Sequence, residues 1–184
     1  MNEGPAVWPL SLRLIHWVTA VLVLSTLVLG VYMVQLVHDP SERFDLTQKH
    51  KSIGVLILFL TIVRLCLRLA KRSPAPEPVS PLLVVAAKAA HIALYGLLLV
   101  MVFSGWLMTS TTPVRIPTLV LGAFELPYPL APNLAIYRLA HSIHAVSAAA
   151  LASLIAVHVA ATLVHGLLWR DRTFLKMSWY RRST

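Results

Sequence analysis

One uncharged stretch decides the fold of this chain, LAHSIHAVSAAALASLIAVHVAATLVHGLLW, which runs from Leu139 to Trp169 and contains no Asp, Glu, Lys or Arg. A membrane-spanning helix needs about 20 mostly apolar residues, and this stretch has more. At about 1.5 Å per residue, a helix of this length exceeds the ~30 Å hydrocarbon core of a bilayer. We therefore expect a membrane helix that is tilted or that projects beyond the lipid.

Three further stretches are apolar enough to span a bilayer, and the predicted spans are about 14–37, 51–70, 89–112 and 139–169. Of the 184 residues, 58% are hydrophobic and 12% are charged, against roughly half and about a quarter in a soluble domain. The first span is too long for the apolar part of a signal peptide and is expected to be retained. The sequence thus predicts an all-α, integral membrane four-helix bundle that forms one domain, 1–184.

The basic residues lie mainly at the ends of these spans, which is typical of membrane proteins and not of nucleic-acid binders, despite a formal net charge of +9. One side of the predicted bundle carries more of them, namely Arg13, Arg64, Arg68, Lys71, Arg72, Lys88, Arg170, Arg172, Lys176, Arg181 and Arg182. The other side has Arg43, Lys49, Lys51, Arg115 and Arg138. Because the richer side faces the cytoplasm, both termini are predicted to be cytoplasmic.

Two proline-rich segments are predicted to be loops. The first is Lys71–Pro81, and the second, between Thr112 and Pro132, should include an interfacial piece around Leu119–Phe124. Cys66 is the single cysteine, so there is no disulfide framework and no metal site built from cysteines alone. No C-x-x-C-H string occurs, which excludes haem attached in the c-type manner.

Histidines are the most informative residues of the spans, where polar side chains are expensive and usually functional. In the fourth span His144 and His158 are fourteen positions apart, which places them about 40° apart around the helix and about 21 Å apart along it. His165 shares this face, whereas His141 lies about 100° from His158 on the helix. Two imidazoles so placed can each bind one haem, near opposite sides of a membrane.

Each haem with two axial histidines needs a second ligand from another helix. His50 begins the second span on the outer side and should meet His144, while His16 begins the first span on the inner side and should meet His158. Haem with two protein ligands has no vacant iron position, which favours electron transfer. The alternative for any one of these histidines is a packed residue that hydrogen-bonds to a neighbouring helix, in a bundle without haem.

Small and basic residues near these histidines fit the same hypothesis. Gly54 is one turn from His50 on the same face, where the missing side chain would let a porphyrin approach the backbone. Gly30 could do the same or could serve ordinary helix packing. Arg64 and Arg68 could pair with the propionates of the inner haem, or could simply extend to the interface as long basic side chains do.

Several strings, in order and over nearly the whole chain, resemble the bacterial cytochrome b561 family. They are Leu14-Ile15-His16-Trp17, Lys49-His50-Lys51-Ser52-Ile53-Gly54, His91-Ile92-Ala93-Leu94-Tyr95, Ser104-Gly105-Trp106, the series His144, His158 and His165, and Trp169-Arg170-Asp171 through Leu175-Lys176-Met177. One departure is Val102, where many relatives have proline before the Gly-Trp pair.

The resemblance implies a bacterial inner-membrane protein with two haem b groups, whose ligands lie at positions matching His16, His50, His144 and His158. Family members described as superoxide oxidases take electrons from superoxide at the outer face and reduce ubiquinone, so we expect lipid, quinone and superoxide as partners. A second hypothesis is a membrane-anchor cytochrome b subunit, which carries electrons between a partner dehydrogenase or hydrogenase and the quinone pool. The short loops leave little docking surface and favour a protein with no obligatory protein partner.

Outer basic residues could steer superoxide, or they could form an ordinary solvated face with the acids around them. The basic residues are Lys49, Lys51, Arg115 and Arg138, and the acids are Asp39, Glu42, Asp45 and Glu125. His165 and Trp169, toward the inner end of the fourth span, could bind a quinone, with a packed histidine as the alternative. His91 matches the family but is expected to be structural, and His38 is expected to lie in a loop.

Overall fold

The computed structural model describes residues 7–71, 74 and 80–179 and consists mainly of four long helices. They are α1 (Leu10–Gln35), α2 (Pro40–Ala70), α3 (Pro81–Thr111) and α4 (Leu134–Leu163), which continues as a π-helical turn at Val164–Leu168. The other described elements are the strands β1 (Leu119–Val120) and β2 (Phe124–Glu125) and a 3₁₀ turn at Phe174–Lys176. All four helices are long and apolar enough to cross a membrane, which confirms the predicted all-α membrane bundle.

Capping residues explain why α2 and α4 begin earlier than the corresponding predicted spans. Asp39 caps α2 by accepting hydrogen bonds from the backbone N–H groups of Ser41 and Glu42, and Pro40 takes the first helical position. An asparagine caps the start of α4 in the same way. The extra turns of α2 are polar, and they place His50 about three turns inside the helix.

The helices pack as two hairpins, α1 against α2 and α3 against α4, with fewer contacts between α2 and α3. The buried side chains of Val23, Ile57 and Leu151 form an apolar cluster that joins α1, α2 and α4 at mid-length, and Leu94 and Leu97 of α3 pack against it. Many other apolar side chains are exposed, as expected where lipid is the solvent. The histidines lie on either side of this cluster along the helices.

The loop after α3 forms an antiparallel hairpin at the position of the predicted interfacial piece, with Val120 opposite Phe124. The hairpin lies on α2 because of a buried hydroxyl, that of Ser52. This hydroxyl donates to the carbonyl oxygen of Leu119 at 2.9 Å and accepts from the N–H of Leu121 at 3.3 Å. The loop therefore covers the end of α2 that is predicted to face outward. We call this end of the bundle the outer end and the opposite one the inner end, after the predicted orientation.

Some predictions fall outside the described residues. Of the predicted loop Lys71–Pro81, the structure describes residues 71, 74, 80 and 81. Arg72, Arg181 and Arg182, which count toward the predicted orientation, also lie outside the described ranges. The cytoplasmic placement of both termini stays a prediction.

Candidate haem sites

The histidines differ in burial, and those that are half-buried are His16, His50, His91, His144, His158 and His165. His38 and His141 are exposed. The ring of His141 lies beside that of Tyr137, with 6.3 Å between centroids, which is consistent with its exclusion from the ligand stripe. The half-buried histidines form an outer pair, an inner group and one position at the end of α4.

The outer pair consists of His50 on α2 and His144 on α4, so it joins the two helical hairpins. The centroids of the two imidazole rings are 6.2 Å apart, and the ring planes are inclined at 66°. Two imidazole nitrogens bound to one metal ion, each at about 2 Å, would place their ring centroids roughly 6 Å apart. The spacing of the outer pair therefore fits two imidazoles that would hold one haem iron between them.

Helix α3 holds the ring of His144 through hydrogen bonds at Nδ1. This nitrogen lies 3.0 Å from the backbone carbonyl oxygen of Met101 and 3.0 Å from the buried hydroxyl of Ser104. Because a carbonyl oxygen can only accept, Nδ1 carries the proton and Nε2 keeps its lone pair, which is the state that binds a metal. The spacing of the histidines does not predict either of these hydrogen-bond partners of His144. Ser104 does, however, belong to the Ser104-Gly105-Trp106 string.

Glycines border both outer imidazoles. A Cβ on Gly105 would lie 3.3 Å from Cε1 of His144, and a Cβ on Gly30 would lie 3.5 Å from Cε1 of His50. Gly54 differs, because a Cβ there would have no atom within 4 Å although the residue is half-buried. Gly30 thus makes room for a histidine ring, whereas the open face of Gly54 suits a flat group that approaches the backbone.

The inner group contains three histidines, one more than the predicted pair. The rings of His91 and His158 are 5.4 Å apart between centroids and inclined at 77°, and both residues lie near His16. Nδ1 of His91 donates to the carbonyl oxygen of Ala87 at 2.6 Å. The structure thus brings the predicted partners His16 and His158 to the same end of the bundle, with His91 beside them.

Two of the imidazoles have a buried nitrogen without a protein partner. Nδ1 of His16 and Nδ1 of His50 form no hydrogen bond within the part of the chain that the structure describes. Buried polar groups are almost always hydrogen-bonded, and lipid offers no substitute. Neither ring is therefore held by a hydrogen bond from Nδ1 to a neighbouring helix, which the packed-histidine alternative requires.

Basic and aromatic side chains lie together at the inner end. The guanidinium of Arg64 lies 5.6 Å from the ring centroid of Tyr95, and that of Arg68 lies 5.9 Å from Tyr95 and 5.6 Å from Trp8. Both arginines are half-buried, and among the described residues neither forms a salt bridge with a carboxylate. Arg64 also acts electrostatically on His16. Two such guanidinium groups suit the two propionates of a haem.

A histidine–carboxylate pair lies at the inner end of α4. Nδ1 of His165, in the π turn, hydrogen-bonds to a carboxylate oxygen of Asp171, and the ring of Trp169 stands edge-on to His165 at 4.5 Å between centroids. Partial burial raises the pKa of Asp171, but hydrogen bonds from His165 and Thr173 outweigh it and hold that pKa below its usual value. The structure therefore places His165 and Trp169 together, and it adds Asp171, which helix periodicity does not reveal.

A cavity of about 330 Å³ opens at the outer end of α2. Its walls are formed by His38, Pro40, Arg43, Phe44, Thr47, Gln48, Lys51 and Ile116. Lys51 directly follows His50 in the sequence, but neither His50 nor His144 is among the residues that line the cavity. Of the other basic residues predicted to steer an anion, Arg115 donates to a loop carbonyl oxygen at 2.7 Å, and Lys49 and Arg138 are exposed.

Nearly the whole chain matches a known protein family. A family model described as prokaryotic cytochrome b561 covers residues 7–179. Cytochrome b561 homolog 2 of Escherichia coli (strain K12) is 33% identical over 163 residues, which are 88% of this chain and 86% of that protein. These matches show that the chain belongs to the prokaryotic cytochrome b561 family, and that it is a multi-pass protein of the bacterial inner membrane which transfers electrons by means of b-type haem.

Proposed function

We propose that this chain is a superoxide:ubiquinone oxidoreductase that holds two haem b groups, one near each end of the bundle. The proposal rests mainly on the separation of the half-buried histidines into an outer pair and an inner group. His50 and His144 would hold the outer haem, and His16 and His158 the inner haem. When bound, haem b supplies an iron that gains and loses single electrons.

An apolar layer separates the two groups of histidines. It consists of Val23, Ile57 and Leu151 with the side chains packed on them. Leu151 is seven residues from both His144 and His158, which is about 10 Å along α4 in each direction. Such a layer excludes water and therefore blocks the movement of protons and ions, while electrons can still pass between groups on either side.

The outer cavity supports superoxide as the electron donor. His38, Arg43 and Lys51 line it at the same end of α2 as His50, and basic walls raise the local concentration of a small anion. Asp39 reduces the positive potential of these walls, because its carboxylate is negatively charged. Hydrogen bonds from the Ser41 hydroxyl and from backbone N–H groups lower the pKa of Asp39 and keep it ionised. Each superoxide anion would give up one electron and leave as dioxygen.

His165 and Trp169 support ubiquinone as the acceptor at the inner end. Reduction of one ubiquinone takes up two electrons, from two superoxide anions, and two protons. Trp169 is 52% exposed at the end of a membrane helix, where a lipid-soluble quinone can reach it. His165, beside it, can hydrogen-bond to a quinone oxygen and act as an acid.

Stopped-flow mixing of the oxidised, haem-loaded protein with superoxide tests this function. We expect the absorbance of reduced haem b to appear and then to decay when ubiquinone is added, and superoxide dismutase should abolish the reduction. Arg43→Gln and Lys51→Gln should slow the reduction and weaken its dependence on ionic strength. Lys88→Gln, a matched change in the first turns of α3, should leave both unchanged.

Protein that superoxide does not reduce would disprove this function. If a quinone-linked dehydrogenase or hydrogenase reduces such protein instead, the chain is the membrane-anchor subunit of the second hypothesis. The described loop between α3 and α4 contains a hairpin that packs back onto α2 and forms no separate docking domain, which supports the free-standing protein.

A further inference from the structure

We propose that Asp171 is a positioning residue for His165, and that the two form a relay which delivers protons from the inner aqueous phase to a quinone. This inference rests on the proposed quinone site at His165 and Trp169, and it adds a residue and a proton path to that site. Asp171 lies beyond the end of α4, where the spacing of the histidines assigns it no role.

The backbone at the end of α4 returns Asp171 to His165. The turn Val164–Leu168 is π-helical, and the N–H of Trp169 donates to the carbonyl oxygen five residues earlier at 3.0 Å. Arg170 then adopts the left-handed conformation with a φ of 52°, at a place where helices usually have glycine. The N–H of Asp171 donates to the carbonyl oxygen of His165 at 3.1 Å. Both the π turn and the left-handed residue are unfavourable features that occur preferentially at functional sites.

Both oxygens of the Asp171 carboxylate have partners. Oδ2 accepts from Nδ1 of His165, and Oδ1 accepts from the N–H of Thr173 at 2.8 Å. The hydroxyl of Thr173 also lies 3.3 Å from Nδ1 of His165. An ionised carboxylate at this place keeps the proton on Nδ1 and fixes the orientation of the ring.

The second ring nitrogen of His165, Nε2, remains available to a ligand. It has no hydrogen-bond partner in residues 7–71, 74 and 80–179. Trp169 stands edge-on to the ring and is half exposed. His165 thus lies between an exposed aromatic side chain and a carboxylate of the C-terminal segment, with one nitrogen bound to the carboxylate and the other available to a quinone oxygen.

The other charged groups around the pair are basic. Asp171 is the only acidic residue after Glu125 in the sequence. In the described part of the segment that follows α4, the basic residues are Arg170, Arg172 and Lys176. From α1, Arg13 donates to the carbonyl oxygen of Ser178 in the same segment at 2.7 Å. Among the described residues the carboxylate nevertheless pairs with His165 and not with an arginine, which indicates a role beyond charge balance.

The pair can move protons in the direction that quinone reduction needs. Uptake of a proton at Nε2 makes an imidazolium, which the carboxylate of Asp171 stabilises through Nδ1–H. Once the quinone has received an electron, the Nε2–H bond breaks and an O–H bond forms on the quinone oxygen, which leaves the ring neutral. A proton from the inner aqueous phase restores the imidazolium. Two such cycles, with two electrons from superoxide, complete one quinol.

The test uses the full-length, haem-loaded protein and a short-chain ubiquinone. Reduced protein is mixed with the quinone at a series of pH values, and reoxidation of the haem is followed by absorbance. The variants are Asp171→Asn, Asp171→Glu and His165→Gln. Asp39→Asn is a matched control, because Asn also caps a helix and the residue lies at the start of α2. The reduced spectrum reports in each variant whether the haems are in place.

We expect Asp171→Asn to slow reoxidation roughly 100-fold at neutral pH, at the lower end of acid–base effects. The dependence of the rate on pH should also differ from that of the parent, because the carboxylate beside the proton-donating ring is gone. Asp171→Glu should restore most of the rate, His165→Gln should be at least as slow as Asp171→Asn, and Asp39→Asn should match the parent. In protein without quinone, ¹⁵N NMR of labelled histidine should show one Nδ1–H tautomer lost in Asp171→Asn.

The outcomes separate the relay from the quinone site. An Asp171→Asn protein with the parent's rate and pH profile, together with a slow His165→Gln protein, would overturn the relay and leave the quinone site in place. If His165→Gln also matches the parent, the proposed quinone site itself is wrong. Loss of the haem spectrum in both Asp171 variants would show that the residue only supports the fold, which also overturns the relay.

Discussion

Gly105 of α3 lies so close to His144 of α4 that a Cβ on the glycine would come within 3.3 Å of Cε1 and 3.5 Å of Nδ1 of the imidazole. The same helix supplies the carbonyl oxygen of Met101, which accepts from that Nδ1. Helix α3 therefore contributes no ligand to the proposed outer haem, but it orients a ligand that α4 contributes. Loss of a group that orients a metal ligand in this way typically lowers metal affinity or activity by roughly 10- to 100-fold.

Gly105→Ala should displace His144 and weaken binding of the outer haem by roughly tenfold or more. Gly30→Ala should have a smaller effect, because its Cβ would lie 3.5 Å from Cε1 of His50, which is an ordinary contact. Titration of the haem-free protein with haem, followed by absorbance, measures both variants. A Gly30→Ala protein that binds haem more weakly than Gly105→Ala would show that the outer histidines are held in another way.

Ser104→Ala should retain both haems with a modest loss of affinity, of about tenfold at most. The reason is that Nδ1 of His144 keeps the Met101 carbonyl oxygen as its acceptor when the hydroxyl is removed. The same haem titration measures the change. Thr109→Ala is the control, because its hydroxyl bonds only to the carbonyl oxygen of Trp106 in its own helix. Complete loss of a haem from Ser104→Ala would mean that the hydroxyl, and not the carbonyl, sets the tautomer.

His16→Ala should remove one haem, whereas His91→Ala should retain both. The ring centroids of His91 and His158 are 5.4 Å apart, which is shorter than the roughly 6 Å expected for two imidazoles bound to one iron, and His16 is the predicted partner of His158. Because the ring of His91 stands edge-on to that of His158, its removal should shift the spectrum or potential of the inner haem. The ratio of extracted haem to protein, measured for each variant, shows which of the two histidines is a ligand. The reverse result would make His91 the partner of His158.

Ser52→Ala should loosen the outer hairpin, because it leaves the carbonyl oxygen of Leu119 and the N–H of Leu121 without their partner. The expected loss of local stability is about 1–3 kcal/mol. Hydrogen exchange of residues 119–125, measured by mass spectrometry, should rise accordingly. Ser153→Ala is the control, since its hydroxyl bonds only to Ala149 within α4. Unchanged exchange in Ser52→Ala would show that the hairpin does not depend on this contact.

Most of the fold can be predicted from hydropathy, because a helix that crosses lipid is recognised by its length and its apolar composition. The start of α2 shows what hydropathy misses. The string Asp39-Pro40-Ser41-Glu42 is a helix-start signal, with a capping side chain and a proline at the first position. It lies outside the apolar span and extends the helix by about three turns before His50.

Sequence predicts the parts of the candidate site that depend on spacing within one helix, and not the contacts between helices. The spacing of His144 and His158 sets two levels along α4, but the position of His91 beside His158 depends on how α3 rotates against α4. The approach of Asp171 to His165 depends on a left-handed residue at Arg170, and arginine carries no signal for that conformation.

The haem content of the purified protein tests most directly whether histidines on α4 hold one haem near each end of the bundle. We expect two haem b groups per chain in the parent, one in His144→Ala and one in His158→Ala, with different spectra for the haem that remains. His141→Ala, a matched change on the exposed side of α4, should retain both. A parent protein with fewer than two haems, or a His144→Ala protein that retains both, would contradict the proposed arrangement.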